Sequence, residues 1–144
     1  MTYFKYWNET FSFALHFFCI DHKEKKHKKQ IKRKLKELEI NADEIKVFTD
    51  SLFDARATTY ITDQGVLLGL NFGELEDYID VLMCLQHECN HVRQFMLDHI
   101  EADVNTTDDE CHLRISDWTF KKCLESDVIS FLLKDEFNEQ PEDE

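Results

Sequence analysis

The chain has 144 residues, 42% of them apolar, and 12 phenylalanines, which is enough to build one hydrophobic core and excludes a disordered chain. Three glycines, one proline and five cysteines without a CxxC pair exclude a collagen-like or linker-like sequence and disfavour a disulfide framework or a zinc ribbon. The net charge of −13 disfavours direct binding to nucleic acid, because a strongly negative body repels phosphate.

The first two predicted elements are a strand and a helix. Large apolar residues recur with a period of two in Phe11–Ile20, which predicts a strand, paired in a hairpin that turns near Trp7–Glu9. The stretch His22–Glu39 lacks glycine and proline and is rich in good helix formers, so we expect a helix there. Its basic run, Lys23–Lys36, is expected to form a solvated face, with an acidic or nucleic-acid partner as the alternative.

The middle of the chain is expected to form strands followed by a long helix. Short segments rich in β-branched and aromatic residues predict strands at Ile45–Phe48, Ala57–Thr62 and Val66–Phe72. The last two flank Gly65 and are predicted to form a hairpin. A helix without internal breakers is predicted over Leu75–Ile100.

A second helix is predicted to begin near Asp108 and to run towards Leu133, with a weak point at Ser126–Asp127. Residues 135–144 are acidic and contain the single proline, so we expect one domain over residues 1–134 and a disordered tail after it. The order of elements predicts an α+β fold, with a small twisted sheet and two neighbouring helices near the C-terminal end.

The long helix contains an H-E-x-x-H sequence formed by His87, Glu88 and His91. Two imidazoles four residues apart lie about 40° apart around a helix, so both can reach one Zn²⁺ at about 2.0–2.1 Å. Glu88 lies at the neighbouring edge of that helix face, where it can accept a proton from a zinc-activated water as a general base. The motif therefore predicts zinc-dependent hydrolysis. The alternative is a charged helix whose histidines are surface or half-buried residues.

The third metal ligand decides the class of site. A metzincin needs Gly and His where this chain has Gln94 and Leu97, so that class is excluded. His99 is poorly placed, because it lies about 120° around the helix from His87. Glu110 in the next helix is the preferred ligand, since a carboxylate completes a two-His-one-Glu set and leaves one position open for water.

Glu110 also has other interpretations. Thr107 and Glu110 fit a capping box, in which the glutamate side chain turns back onto the start of its own helix. Glu110 can equally form an ion pair with Arg114 one helical turn on. The remaining candidates for the third ligand are Asp109, Cys111 and His112.

The segment Cys84–Cys123 resembles the small zincin-like proteins of gluzincin type that are encoded by phages and prophages. In that family an H-E-x-x-H helix is followed by a helix with an Asp-Glu pair, which supplies the last ligand. Arg114 departs from the pattern, because an aromatic residue is expected there. The resemblance implies a minimal zincin-like, metallopeptidase-like fold over most of residues 1–125. The matching residues are His87, Glu88 and His91, then Asp109-Glu110 and Asp117-Trp118.

Two functions are consistent with these features. The first is a zinc metallopeptidase that hydrolyses peptide bonds in a peptide or protein substrate. The second is a non-catalytic phage accessory protein that binds or inhibits a host factor, with its acidic body as a mimic of nucleic acid. No apolar run approaches the roughly 20 residues that cross a bilayer, so we expect no membrane association and a cytoplasmic location, in the host if a phage encodes the chain. The sequence does not define an oligomeric state.

A peptidase also needs a group that stabilises the oxyanion of the tetrahedral intermediate. The hairpin edge between Thr58 and Leu70 is a candidate surface for an extended peptide, which it can bind by strand addition. The candidates for the oxyanion group are Tyr60, Tyr78, His99, His112 and Arg114.

Overall fold

The computed structural model describes residues 1–99, 109–127 and 129, with the backbone alone at His99 and at 109–112. It is a mixed α+β structure, which confirms the predicted class, whereas the zincin-like details stay a prediction. The predicted acidic tail, 135–144, lies outside the described residues. The elements are β1 (Thr2–Asn8), β2 (Phe13–Ile20), α1 (Lys25–Glu37), α2 (Ala42–Phe53), β3 (Ala57–Thr62), β4 (Gly65–Asn71), a 3₁₀ turn (Phe72–Glu74), α3 (Tyr78–His99) and α4 (Asp109–Glu125).

The four strands form one mixed sheet in the order β1-β2-β4-β3. Two antiparallel hairpins, β1–β2 and β3–β4, confirm the predicted pairings. The first turn lies at residues 9–12, slightly later than predicted, because Trp7 and Asn8 still pair with Ala14 and Phe13. The second hairpin turns just before Gly65, whose φ of +126° favours glycine. The two hairpins join through β2 and β4, which run parallel with Leu15 opposite Val66. Strands β1 and β3 are therefore the two edges of the sheet.

Both faces of the sheet are covered by helices. Phe17 and Leu68 on one face pack in a cluster with residues of α3 and α4. Phe18 and Leu67 on the other face pack with α1 and α2. Because successive side chains of a strand point to opposite faces, β2 is buried along its whole length. The motif helix α3 thus lies on one side of the sheet and the basic helix α1 on the other.

Helix α2 replaces the strand predicted at Ile45–Phe48, so that prediction was wrong. The side chain of Asn41 accepts a hydrogen bond from the backbone N–H of Glu44 at 2.9 Å and caps the helix. The β-branched and aromatic content was misleading, because the residues that are buried follow the helical spacing i, i+3, i+4, i+7. These buried residues are Ile45, Phe48, Thr49 and Leu52.

The other helices agree with the prediction to within a few residues. Helix α1 buries Ile31 and Leu35 and exposes most of its basic residues, so the predicted narrow apolar stripe is confirmed, whereas the absence of a partner for the basic face stays a prediction. Helix α4 ends at Glu125, next to the predicted weak point at Ser126–Asp127. The predicted continuation to Leu133 lies largely outside the described residues. Among the described residues, no helix combines the length and the apolar character needed to cross a bilayer.

His16 is a buried histidine in the centre of the sheet. Its Nε2 donates to the carbonyl oxygen of Gln64 at 3.1 Å, so Nδ1 carries no proton and accepts from the hydroxyl of Tyr3 at 2.6 Å. Burial lowers the pKa of His16 and favours this neutral form. Both ring nitrogens are occupied within the fold, which indicates a structural role.

Three of the cysteine thiols lie in the core. Cys19, Cys89 and Cys123 are buried and not joined by disulfides. Burial raises the pKa of Cys19 and of Cys89 to about 12, and it raises the pKa of Cys123 well above its ordinary value. These thiols therefore stay protonated near neutral pH and act as small apolar groups.

Candidate metal centre on helix α3

Helix α3 sits against the sheet through one apolar stripe. Val81, Leu85, Val92 and Met96 recur at helical spacing, and all four are buried against the cluster that contains Phe17 and Leu68 of the sheet. This stripe fixes the rotation of the helix about its axis. It leaves His87 on the exposed side and His91 half-buried next to it.

The imidazoles of His87 and His91 converge. Their Nε2 atoms lie 3.0 Å apart, and the rings are nearly perpendicular, with centroids 4.7 Å apart. Two nitrogen ligands of a tetrahedral zinc at about 2.0–2.1 Å stand roughly 3.3–3.4 Å from each other. The observed separation is a few tenths of an ångström shorter, so a small rotation of either ring fits both to one ion. Without an ion, the same geometry fits one N–H···N hydrogen bond.

The orientation of the second imidazole is supported by an aromatic neighbour. The ring of His91 stacks on Phe95, one turn further along α3, with centroids 6.0 Å apart and an angle of 20° between the rings. Residues at i and i+4 are neighbours on a helix surface, so this contact belongs to α3 itself. It limits the rotation of the His91 ring and favours the orientation in which Nε2 points towards His87.

Glu88 points towards the edge strand β3. It stands about 100° around the helix from His87, and only 7% of its surface is exposed. Its Oε2 accepts a hydrogen bond from the hydroxyl of Thr59 at 2.5 Å. The sequence predicted the position of Glu88 beside the imidazoles, but it did not predict the bond to Thr59, because the pairing of α3 with β3 depends on the tertiary fold.

The flank of α3 beside β3 carries further polar groups. Asp80 lies 3.9 Å from Arg56, which directly precedes β3. Cys84 lies between Asp80 and Glu88 on the same stripe, and burial raises the pKa of its thiol. Asp80, Cys84 and Glu88 thus follow the edge strand at intervals of four residues.

Helix α4 packs beside α3 and covers the other half of the sheet. Trp118 meets Phe13 edge to face at 5.4 Å, and the ammonium of Lys122 lies 5.9 Å from the ring centroid of Tyr6. The first turn of α4 contains Glu110, whose side chain lies outside the described part of the structure. The ligand role of Glu110 therefore stays a prediction.

The same limit applies to the alternative third ligands. Asp109, Cys111 and His112 stand in the first turn of α4, where only the backbone is described. Among the side chains that are described, no three His, Cys, Asp or Glu residues form a group that could hold a metal. The described geometry thus supplies two converging nitrogen donors. A carboxylate from α4, as predicted from the sequence, would complete the set of three metal ligands.

The oxyanion candidates are separated by the fold. Tyr60 packs with the cluster on the α1–α2 face, so it lies across the sheet from His87 and is excluded. Tyr78 stands nine residues before His87, which is about half a turn around α3 and roughly 13 Å along it. Arg114 is exposed on α4. The side chains of His99 and His112 lie outside the described residues.

Comparison with protein-family models, with curated proteins and with solved structures gave no match for this chain.

Proposed function

We propose that the chain is a zinc-dependent metallopeptidase whose metal is held by His87, His91 and Glu110. The observation that supports this proposal is the 3.0 Å separation of the two Nε2 atoms on adjacent turns of α3. When bound, zinc supplies a Lewis acid for the substrate carbonyl and lowers the pKa of a coordinated water to about 7. The open side of the pair, where His87 is exposed, gives a substrate access.

Glu88 is the proposed general base. A carboxylate has two oxygens, and the bond from Thr59 occupies Oε2, so Oε1 is available to accept a proton from the attacking water. The hydrogen bond also fixes the carboxylate in one orientation, which favours proton transfer because a general base must lie within hydrogen-bonding distance of its proton. Thr59 is therefore a positioning residue for Glu88.

The edge strand β3 is the proposed docking edge for an extended peptide. Within the described sheet β3 pairs with β4 alone, and Thr59 in its middle contacts Glu88. A peptide that adds to this edge would pair with the β3 backbone and pass close to the carboxylate. Main-chain pairing of this kind favours an unfolded or extended segment of protein as the substrate.

The first experiment measures zinc. Protein purified without chelator is expected to hold about one zinc per chain, and either His87→Ala or His91→Ala should remove it. His27→Ala is the matched control, because His27 belongs to α1 on the other side of the sheet. A wild-type protein that holds no zinc and takes up none on titration contradicts the proposal.

The second experiment measures hydrolysis. Glu88→Gln should keep zinc and the fold, since the amide retains the shape of the side chain, and it should lower peptide cleavage by about 10²-fold or more. Glu76→Gln, at an exposed glutamate just before α3, is the control for loss of one charge. Equal cleavage rates for wild type and Glu88→Gln would exclude Glu88 as the base.

One observation favours the second candidate function, a non-catalytic binding protein. Glu88 is buried and already bonded to Thr59, which is also what a purely structural carboxylate would show. In that case wild type and Glu88→Gln should capture the same intact partner, and no fragments should form. Fragments that appear with wild type alone support the peptidase.

A further inference from the structure

Helix α1 presents a dense positive charge on its outer side. Eight of its 13 residues are lysine or arginine, and Glu37 at its end is its one acidic residue. Ile31 and Leu35 are buried against the sheet side, so most of the cations point to solvent. The basic face of α1 is defined by its six exposed cations: Lys25, Lys26, Lys28, Lys29, Arg33 and Lys36.

The charges of the basic face repel one another. Lys25, Lys29 and Arg33 follow each other at intervals of four residues, which places like charges on adjacent turns and destabilises the helix. The first turn of α1 contains no acidic residue, and the side chain of Glu24 at the N-cap makes no capping bond. Lysines therefore also stand at the positive end of the helix dipole. An anion against this face would offset both unfavourable interactions.

The described side chains do not neutralise this face. None of the ion pairs between them includes one of the six cations. Lys34, a half-buried lysine of α1 outside the basic face, pairs with Glu37 at 3.5 Å. Lys28 lies 5.8 Å from the ring centroid of Phe53, which is an aromatic neighbour without charge. The basic face is thus a charged surface without an ion-pair partner in the described part of the chain.

The segment 135–144 has the complementary charge. It contains six acidic residues and no basic one, so it matches the six cations of the basic face in number. Residues 38–134 carry 20 acidic and seven basic side chains, so this part of the chain repels the segment. Electrostatic attraction therefore favours α1 as the place where the segment binds.

The end of α4 and helix α1 flank the same edge strand, β1. On one face of the sheet, the ammonium of Lys122 lies 5.9 Å from the ring centroid of Tyr6. On the other face, the ammonium of Lys34 lies 4.5 Å from the ring centroid of Tyr3. A path from Ile129 around β1 to the outer side of α1 takes roughly 20–30 Å, because a helix is about 10–12 Å across and packed layers are about 10 Å apart. The 15 residues that follow Ile129 reach up to about 50 Å when extended, which is sufficient.

We infer that the acidic segment 135–144 binds the basic face of α1 in the same chain. The acidic partner that is the alternative for the basic run is then a segment of the chain itself. The short connection to α4 gives the segment an effective concentration in the millimolar range. A free polyanion, such as a nucleic acid, lacks this connection and is repelled by the net charge of −13. The segment therefore competes with any other anionic partner for this face, whether or not the metal centre is occupied.

Carbodiimide cross-linking of the full chain tests the contact, because this reagent joins a carboxylate to an amine only when the two groups touch. We expect cross-links from the segment 135–144 to the lysines of the basic face. Their yield per lysine should exceed that at Lys46 by about 3- to 10-fold, the ratio that a few surface ion pairs support. Lys46 is the matched control, because it is an exposed lysine on the neighbouring helix α2. In about 1 M salt, where the Debye length is about 3 Å, this excess should disappear.

The same experiment distinguishes a contact within one chain from a contact between two copies. In a mixture of ¹⁴N- and ¹⁵N-labelled protein, only cross-links between copies give products of mixed label. Lys121, an exposed lysine on α4, shows the yield that results from closeness to the start of the segment alone. Equal yields at Lys46 and at the basic face, or products of mixed label only, would overturn the inference.

Neutral variants test the contact without a reagent. Replacement of all six carboxylates of the segment by amides should shift the backbone N–H signals of α1 and leave those of α2 in place. Glu76→Gln combined with Asp98→Asn is the control for a change of net charge, because both residues are exposed on the opposite side of the sheet, at α3. Unchanged signals of α1 in the first variant, or equal shifts in the control, would contradict the inference. If the first variant fails to fold, the cross-links of the wild-type chain decide. The six changes are Asp135→Asn, Glu136→Gln, Glu139→Gln, Glu142→Gln, Asp143→Asn and Glu144→Gln.

Discussion

Thr59 donates a hydrogen bond from its hydroxyl to Oε2 of Glu88, and this bond joins the edge strand β3 to the helix that carries both imidazoles. The contact is partly buried and connects residues 29 positions apart in the chain. It makes the orientation of the candidate base depend on the placement of one edge strand. A displacement of β3 would therefore reorient the carboxylate of Glu88.

Thr59→Val tests this connection, because valine keeps the shape of threonine and removes the hydroxyl. The carboxylate of Glu88 then loses its partner in a site where it is 7% exposed. We expect the free energy of unfolding to fall by about 1–3 kcal/mol, measured by denaturant titration. Thr58→Val, at the neighbouring position on the opposite face of β3, is the control and should have a smaller effect.

Glu110→Ala separates the two roles proposed for that residue. If Glu110 is the third ligand, its removal should weaken zinc binding by orders of magnitude, because only the two imidazoles remain. If it caps α4, the change should cost about 0.5–2 kcal/mol of stability and leave the zinc content intact. Zinc content and unfolding are measured on the same sample, with Asp98→Ala, at an exposed aspartate of α3, as the control.

The pH dependence of stability should reflect His16. Burial is the main cause that lowers its pKa in the folded protein, and the nearby Lys5 and Lys34 lower it further. Below about pH 6.5 the unfolded chain then binds a proton that the folded chain does not, so stability falls as the pH falls. His16→Gln removes this titration, so its unfolding free energy should change less between about pH 7 and pH 5. An unchanged pH profile in that variant would contradict the assignment.

Gly65→Ala should destabilise the second hairpin. Its φ of +126° is a conformation that side chains disfavour, and an added Cβ would collide with the carbonyl oxygen of Ala14. We expect a loss of about 1–3 kcal/mol in the free energy of unfolding. Gly69→Ala is the comparison: there the Cβ would meet methyl groups of Leu52, which belong to a side chain that can rotate. Its cost should be smaller.

Local patterns predicted the hairpins and three of the four α-helices α1–α4 in the described part of the chain, because each depends on residues close together in the sequence. The strand predicted at Ile45–Phe48 was wrong, because the prediction gave more weight to the β-branched residues than to the helical spacing of the buried ones. Asn41 caps the helix that forms there instead. The parallel pairing of β2 with β4 was not predictable, since it depends on how α1 and α2, which connect the two hairpins in the chain, pack on one face of the sheet.

The candidate site also has features that local sequence predicts and features that depend on the tertiary fold. The spacing of His87 and His91 predicted that their rings would converge, because the geometry belongs to a single helix. The bond from Thr59 to Glu88 requires elements from distant parts of the chain. No local pattern encodes such a contact, because it forms only when the fold brings β3 beside α3.

The core thiols provide a reporter of partial opening. Cys89 follows Glu88 on α3, but it is buried beneath the helix, whereas Cys19 lies in the central strand β2. Because both thiols stay protonated while buried, an alkylating reagent modifies them only in molecules that have opened. Faster labelling at Cys89 than at Cys19 would show that α3 separates from the sheet more often than the chain unfolds as a whole. The rate at which Cys89 is labelled thus reports how often the helix that carries the two imidazoles separates from the sheet.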